Sequence, residues 1–324
     1  FNSLVLLSDL RIEVWIWSGD VIDRSCNNNG FCRAAVQTVS GRQGGEMMNK
    51  KRKIHNWVIG ILLGAIAAIS LFPFYWNLVS AFKPVSEIFT YPPSLIPNLF
   101  TLENFQRLPV YFPCFVRNIL NSFLLAVIIP VLQLFFNSLA GYAFAKFRFR
   151  GDKILFGAVL GTMLIPSTAG YIPQFLEMSR LRLTDTYLAI ILPAMAGAFG
   201  VFLFRQAMYS VPDELLEASR MDGAGSFRSY WLVALPLIRP MMITVYINGF
   251  ITTWNDYFWP FIVLSTESKL TFPVALAGIQ GQMFETPWGT IMVGALIISV
   301  PTLIIYASLS KYIVPDIFAG GIKG

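Results

Sequence analysis

Six long apolar runs alternate with polar connections along this chain, near residues 56–82, 119–145, 153–176, 185–206, 231–264 and 288–313. Each reaches or exceeds the roughly 20 residues an α-helix needs to cross the hydrocarbon of a bilayer. The pattern therefore predicts an all-α membrane protein with six transmembrane helices. None of the runs alternates in the manner of an outer-membrane barrel strand. Prolines 73, 130, 166, 193, 240 and 301 fall inside the runs and predict kinks that neighbouring helices satisfy. Gly60, Gly64 and Ala68, and likewise Gly157 and Gly161, recur one helical turn apart and predict faces where helices approach closely.

One polar island interrupts the pattern, Asp213-Glu-Leu-Leu-Glu217-Ala-Ser-Arg-Met-Asp222-Gly223, followed by Leu235-Pro236. Its charge excludes it from hydrocarbon, yet Leu215, Leu216, Ala218, Ser219 and Met221 recur at the spacing of an amphipathic helix. Ser210-Val-Pro-Asp213 supplies a capping hydroxyl, an early proline and a first-turn acid, which are helix-start signals. Gly223 and Gly225 break the helix, and a second short one is predicted from near Ser226 through Phe227, Tyr230 and Trp231 into the fifth run. Such a bent pair either docks on another protein or lies in the membrane interface.

Composition agrees with a membrane protein, at 55% hydrophobic and 13% charged residues. The formal charge of +6 reads as a topology signal, because Lys and Arg resist translocation. Lys50, Lys51, Arg52 and Lys53 precede the first run, and Lys146, Arg148, Arg150 and Lys153 separate the second from the third. Arg205, Arg220 and Arg228 flank or occupy the island, and Lys311 and Lys323 lie in the tail. These segments are expected in the cytoplasm, with both termini. No basic, aromatic-bearing soluble face suits a nucleic acid. Residues 1–46 lack sustained helical periodicity and the order of a signal peptide, and they read as a disordered or non-native extension ahead of Met47-Met48-Asn-Lys-Lys-Arg-Lys. Cys26, Cys32 and Cys114 show neither metal spacing nor a disulfide framework, and His55 reads as an interfacial residue.

Chemistry is sparse. No Gly-x-x-x-x-Gly-Lys-Ser/Thr loop exists to cradle ATP phosphates. The runs hold no Asp/Glu/His relay of the kind proton-coupled carriers bury, and Asp256 is their conspicuous acid. Energy is expected from a partner. Asn121, Asn137, Tyr142, Asn248, Asn255 and Asp256 are the candidate lining of a translocation path, offering hydrogen bonds with almost no fixed charge. Polar residues in membrane bundles also serve to pack helices. Trp254-Asn-Asp-Tyr-Phe-Trp-Pro260 likewise admits two readings: rings anchoring an interface or packing helices, or Asn255 and Asp256 facing the path.

The spacing from Glu217-Ala218-Ser219 through Gly223 to Leu235-Pro236 resembles the "EAA" signature of permease subunits of bacterial ATP-driven (ABC) importers, with Ser219 where alanine is usual. Trp254 to Pro260, Ala140-Gly-Tyr-Ala-Phe-Ala-Lys-Phe147, the proline-punctuated stretch from Phe82 to Phe105, and the tail Ala319-Gly-Gly-Ile-Lys-Gly324 are similar to the carbohydrate branch, the maltose-type sugar permeases. Ser310-Lys311 and Asp316 depart from that pattern. The resemblance implies a type I ABC importer permease fold over 47–324, with a cytoplasmic coupling loop at 210–236. In it Glu217, Ala218, Ser219, Arg220, Asp222, Gly223, Leu235 and Pro236 would contact the ATPase. It implies no catalysis and no cofactor in this chain, with ATP and Mg bound by a partner ATPase. The implied partners are a second permease subunit, two ATPase subunits, membrane lipid and a sugar. An extracytoplasmic solute-binding protein would rest on the first outer loop. The implied place is the bacterial inner membrane. Two alternatives stay open: an ABC permease for glycerol-phosphate or a polyamine, and a stand-alone channel or secondary carrier.

Overall fold

The computed structural model describes residues 43–279 and 287–319, with side chains over 56–279 and 287–308. Two compact units divide at Pro73/Phe74. The described part of the first is helix α1 (Gln43–Ala81) as far as Pro73. Its apolar side chains, among them Trp57, Ile61, Leu62, Ile66 and Ile69, are exposed. The expected extension over 1–46 lies outside the described residues except for 43–46, which already belong to α1. The tail beyond 319 lies outside them too.

The second unit carries α2 (Phe115–Lys146), α3 (Asp152–Thr162), α4 (Ser167–Arg180), α5 (Leu188–Ala194) and α6 (Ala198–Tyr209). Then follow α7 (Asp213–Met221), α8 (Ser226–Leu237), α9 (Arg239–Trp254), α10 (Phe258–Val263), α11 (Phe272–Ile279) and α12 (Trp288–Ala319). Three of the six expected spans are continuous helices: Asn56–Ala81 of α1, all of α2, and Trp288–Ser308 of α12. The other three are bent pairs, α3 with α4 by 100°, α5 with α6 by 43° and α8 with α9 by 82°. Six spans are thus present when each bent pair counts as one, and three of the expected proline kinks are full breaks between helices. The fifth run divides further, because α9 stops at Trp254 and α10 starts at Phe258.

Proline chemistry accounts for much of this. Pro166 immediately precedes α4, Pro193 lies in the last turn of α5, and Pro240 begins α9. Each lacks an N–H and crowds the carbonyl four residues earlier, so the helix bends where neighbours can supply replacement partners. Leu235-Pro236 acts inside α8. Pro236 cannot donate to the preceding turn, and Leu235 N–H reaches back to Tyr230 O, widening Tyr230–Ala234 into a π-turn. Pro130 sits within α2 without breaking it.

The core of this unit is organised around α2, which crosses α6 and α9. At the α6 crossing, a methyl group on Gly141 would lie 2.7 Å from both Phe204 Cβ and Arg205 N, so only glycine permits that approach. The glycine pairs expected to pack behave otherwise. Gly60, Gly64, Gly157 and Gly161 all face open space within the described residues. Spacing alone reports a smooth face; which neighbour arrives is a tertiary fact.

The connection after α1 is ordered. Glu87 carboxylate accepts hydrogen bonds from Ser94 Oγ (2.7 Å) and Asn98 N (2.8 Å), and Lys83 Nζ donates to Ser94 O. Asn104 Nδ2 closes the loop on Ala81 O (2.9 Å) and Lys83 O (2.7 Å). Near the start of α2, Asn118 Nδ2 donates to Glu267 O and Leu270 O, and Asn121 Nδ2 to Ser268 O and Leu270 O. The same turn is gripped from its other side by Asp185, which binds Lys269 Nζ (2.8 Å), Thr266 Oγ1 (2.6 Å) and the N–H groups of Ser265 and Thr266.

Candidate functional site

At the opposite end of α2 lies the island, and the structure folds it as a helix pair. α7 seats one side chain deeply: Leu216 is 2% exposed among Tyr142, Phe204, Met208, Val211, Tyr230 and Ala234. The remainder of α7 faces outward, with Met221 87% exposed and Leu215, Glu217, Ala218 and Arg220 also open. The helix thus buries one leucine and leaves an alanine, two larger apolar side chains and a glutamate exposed.

Its end is built with a specific cap. Gly223 adopts φ +81°, its N–H bonds Arg220 O (3.0 Å), and Ala224 N–H bonds Ser219 O (2.9 Å). This is the Schellman arrangement, which needs the left-handed residue that glycine supplies without a Cβ penalty. Ser219 Oγ also meets Ser229 Oγ at 2.7 Å, tying α7 to α8 across the bend. At the other end, Lys146 Nζ donates to Val211 O (2.6 Å) and Asp213 Oδ1 (2.7 Å). The ammonium holds the Asp213 carboxyl below the usual aspartate range.

Midway along α2 a cavity of about 550 Å³ opens between α2, α6, α9 and α12. Gln133, Asn137, Phe199, Thr244, Asn248, Thr252 and Tyr306 are among the side chains that line it, and none of the described residues on its wall is charged. Thr244 and Thr252 hydroxyls donate to carbonyls of their own helix, so their oxygens remain acceptors. The α5–α6 break forms part of the wall through Gly197. Gln133 Nε2 donates to Ala194 O (2.8 Å), and Asn137 Oδ1 accepts from Gly197 N (2.9 Å). Two amides one turn apart thus satisfy backbone groups that the break leaves open.

Residues 60–319 match the family model described as "Binding-protein-dependent transport system inner membrane component". The chain belongs to that family. Among its relatives, the arabinooligosaccharides transport system permease protein AraQ of Halalkalibacterium halodurans is 32% identical, over 86% of this chain and all of that protein. The lactose transport system permease protein LacG of Rhizobium radiobacter is 28% identical over 86% of this chain and all of its own length. The sn-glycerol-3-phosphate transport system permease protein UgpE of Yersinia pestis is 32% identical over 79% of this chain and 92% of its own. A solved chain from a bacterial ABC transporter involved in the import of the acidic polysaccharide alginate superposes with a TM-score of 0.72 at 27% identity, covering 81% of this chain and 97% of that one. Membership of a binding-protein-dependent system removes the stand-alone channel or carrier from consideration.

Within this permease the sequence-derived path residues separate into two groups. Asn137 and Asn248 line the cavity. Asn121, Tyr142, Asn255 and Asp256 do not. Asn121 serves the Glu267–Lys269 turn, and Tyr142 is buried beneath the island. Asn255 Nδ2 bonds Ile251 O (2.8 Å), and the Asp256 carboxylate lies against the N–H groups of Phe258 and Trp259 at the start of α10. Asn121 and Asp256 are thus occupied by backbone that a turn or a helix start leaves open, a requirement invisible in a list of polar residues. Trp254 and Trp259 follow the packing reading, both buried, with their indole N–H groups on Ile298 O (2.9 Å) and Ala189 O (3.0 Å). Sequence reasoning missed Gln133. Its signal was present, an amide one turn before Asn137 inside an apolar run.

Proposed function

We propose that the permease imports a neutral sugar or oligosaccharide, handed over by an extracytoplasmic solute-binding protein, along a path that includes the cavity beside the α5–α6 break. The observation that carries the reading is the uncharged, amide- and hydroxyl-rich lining of that cavity. Gln133, Asn137, Asn248 and the threonines suit hydroxyl groups, and Phe199 and Tyr306 offer flat faces to sugar rings. A phosphate or carboxylate cargo would call for a cationic side chain on the lining, so the cargoes named for UgpE and for the alginate importer fit this cavity less well. The sugars named for AraQ and LacG fit it better.

In this reading a second permease subunit completes the path. Two ATPase subunits bind ATP and Mg, and the termini and island face the cytoplasm, as the Lys and Arg distribution favours. The exposed face of α7 supports docking on an ATPase through Glu217, Ala218 and Arg220, with Asp222 and Gly223 at its cap. Ser219 and Leu235-Pro236 hold the bend behind it. Closure of the ATPase pair then moves α7 and shifts the bundle toward release from the binding protein, which requires contacts that differ between two states. The test uses the complete complex in vesicles with ATP inside. Labelled neutral oligosaccharide should enter in an ATP-dependent manner, and a twofold molar excess of unlabelled glycerol-phosphate should not compete. Uptake confined to phosphorylated or carboxylated solutes would overturn the sugar assignment.

A further inference from the structure

The two candidate regions of the permease are joined by one helix, and Lys146 is where that helix grips the island. α2 ends at Lys146, whose side chain is only 6% exposed although it carries a formal charge. Burying an ammonium is costly unless it is paired and hydrogen-bonded. Here Nζ reaches Val211 O, just ahead of α7, and Asp213 Oδ1 in its first turn. Asp213 itself is 74% exposed, so the strut runs from the interior of the bundle to the surface of the island.

Lys146 heads a stripe along α2. One turn back Tyr142 packs in the cluster that seats Leu216, and one turn further Ser138 Oγ meets Tyr230 OH at 2.8 Å, in the π-turn of α8. The same helix then presents Asn137 and Gln133 to the α5–α6 break and the cavity. Nine residues separate Lys146 from Asn137, a rise of roughly 14 Å along a continuous helix. A rigid element therefore touches the start of the island, its exit, and the wall of the path.

We infer that Lys146 is a positioning residue for energy coupling: its paired grip on Val211 and Asp213 makes α2 follow the island when the ATPase moves it. The inference rests on the ATP-driven import reading. It differs from a mere packing role in what its loss does. Without the strut, Leu216 still seats α7, so the island can remain docked and hydrolysis continue while the cavity wall no longer follows.

The experiment measures sugar uptake per ATP hydrolysed in vesicles carrying the whole complex. Native complex must transport first; if it does not, the import reading fails whatever the variants do. Lys146→Met, which keeps an unbranched apolar stem, should assemble and hydrolyse ATP normally while the uptake ratio falls about tenfold, the scale of coupling carried by a residue on a linking network. Lys146→Arg, which can donate to both acceptors, should restore most of the ratio. Should Lys146→Met fail to assemble, Asp213→Ala decides, because it removes only the exposed partner; the ratio should fall there too, by a smaller factor. A native ratio in the decisive variant, or a parallel loss of hydrolysis and uptake, overturns the inference, as does failure of Lys146→Arg to rescue.

Discussion

Gly223 shows how a single residue decides the shape of the island. Its φ of +81° lies in the left-handed region, and a methyl group there would meet nothing within 4 Å, so the constraint is backbone strain and not crowding. A side chain in that region costs about 1 kcal/mol or more, with asparagine the best tolerated. Uptake by the reconstituted complex should therefore fall in the order glycine, asparagine, alanine, valine at position 223, with membrane insertion unchanged on immunoblots of washed membranes. Equal uptake by Gly223→Val and native complex would dismiss the cap as a determinant. Ser219 makes a related point. Its departure from the usual alanine looks like a weakened match in sequence, yet in the structure its hydroxyl bridges to Ser229 and steadies the same bend.

Among the elements, the α5–α6 break is the most informative. Pro193 made a kink legible in the sequence, but not its partners, because Gln133 and Asn137 lie some sixty residues earlier in the chain. Hydrogen bonds of that separation depend on which helix faces which, and periodicity carries no information about it. Gln133→Leu should leave Ala194 O without its donor, a loss of about 1 kcal/mol for a half-buried group, at the low end of the range for buried ones. The expected result is a lower denaturation midpoint in detergent for Gln133→Leu, with Gln133→Met no better because neither restores a donor. Native-like midpoints for both would show that water or lipid satisfies the carbonyl instead. The same logic explains Asn118 and Asn121. As an isolated amide in an apolar run Asn121 reads as a path residue, and only the fold reveals the Glu267–Lys269 turn that it serves together with Asn118.

For the molecule as a whole, the two ends of α2 are built differently. The island end exposes apolar side chains, whereas the far end is closed by Asp185. Lys269, then the Thr266 hydroxyl and the Ser265 and Thr266 N–H groups, hold the Asp185 carboxyl well below the usual aspartate range. A depressed folded-state value means that the latch stabilises the protein at neutral pH, and that this contribution fades as pH falls below the unfolded value. Between about pH 5 and pH 2 the thermal midpoint of the purified protein should drop further for the native chain than for Asp185→Asn, which has no such proton to gain. Identical pH dependence in the two would mean that the latch carries no net stability.

The order and number of apolar runs, the polar island and its helix-start signals, and the absence of an ATP-binding loop were all determined by sequence alone, because each follows from local composition and spacing. The EAA-like spacing carried the family in the same way, since its residues lie within one short segment. Tertiary structure decided the rest: that three of six spans are broken, that Gly141 and not the paired glycines marks a close crossing, and that Asn137 and Asn248 line a cavity which Asn121 and Asp256 do not. Those outcomes turn on which backbone groups a bend leaves unpaired and which distant side chain arrives to satisfy them, and that is settled only when the helices meet.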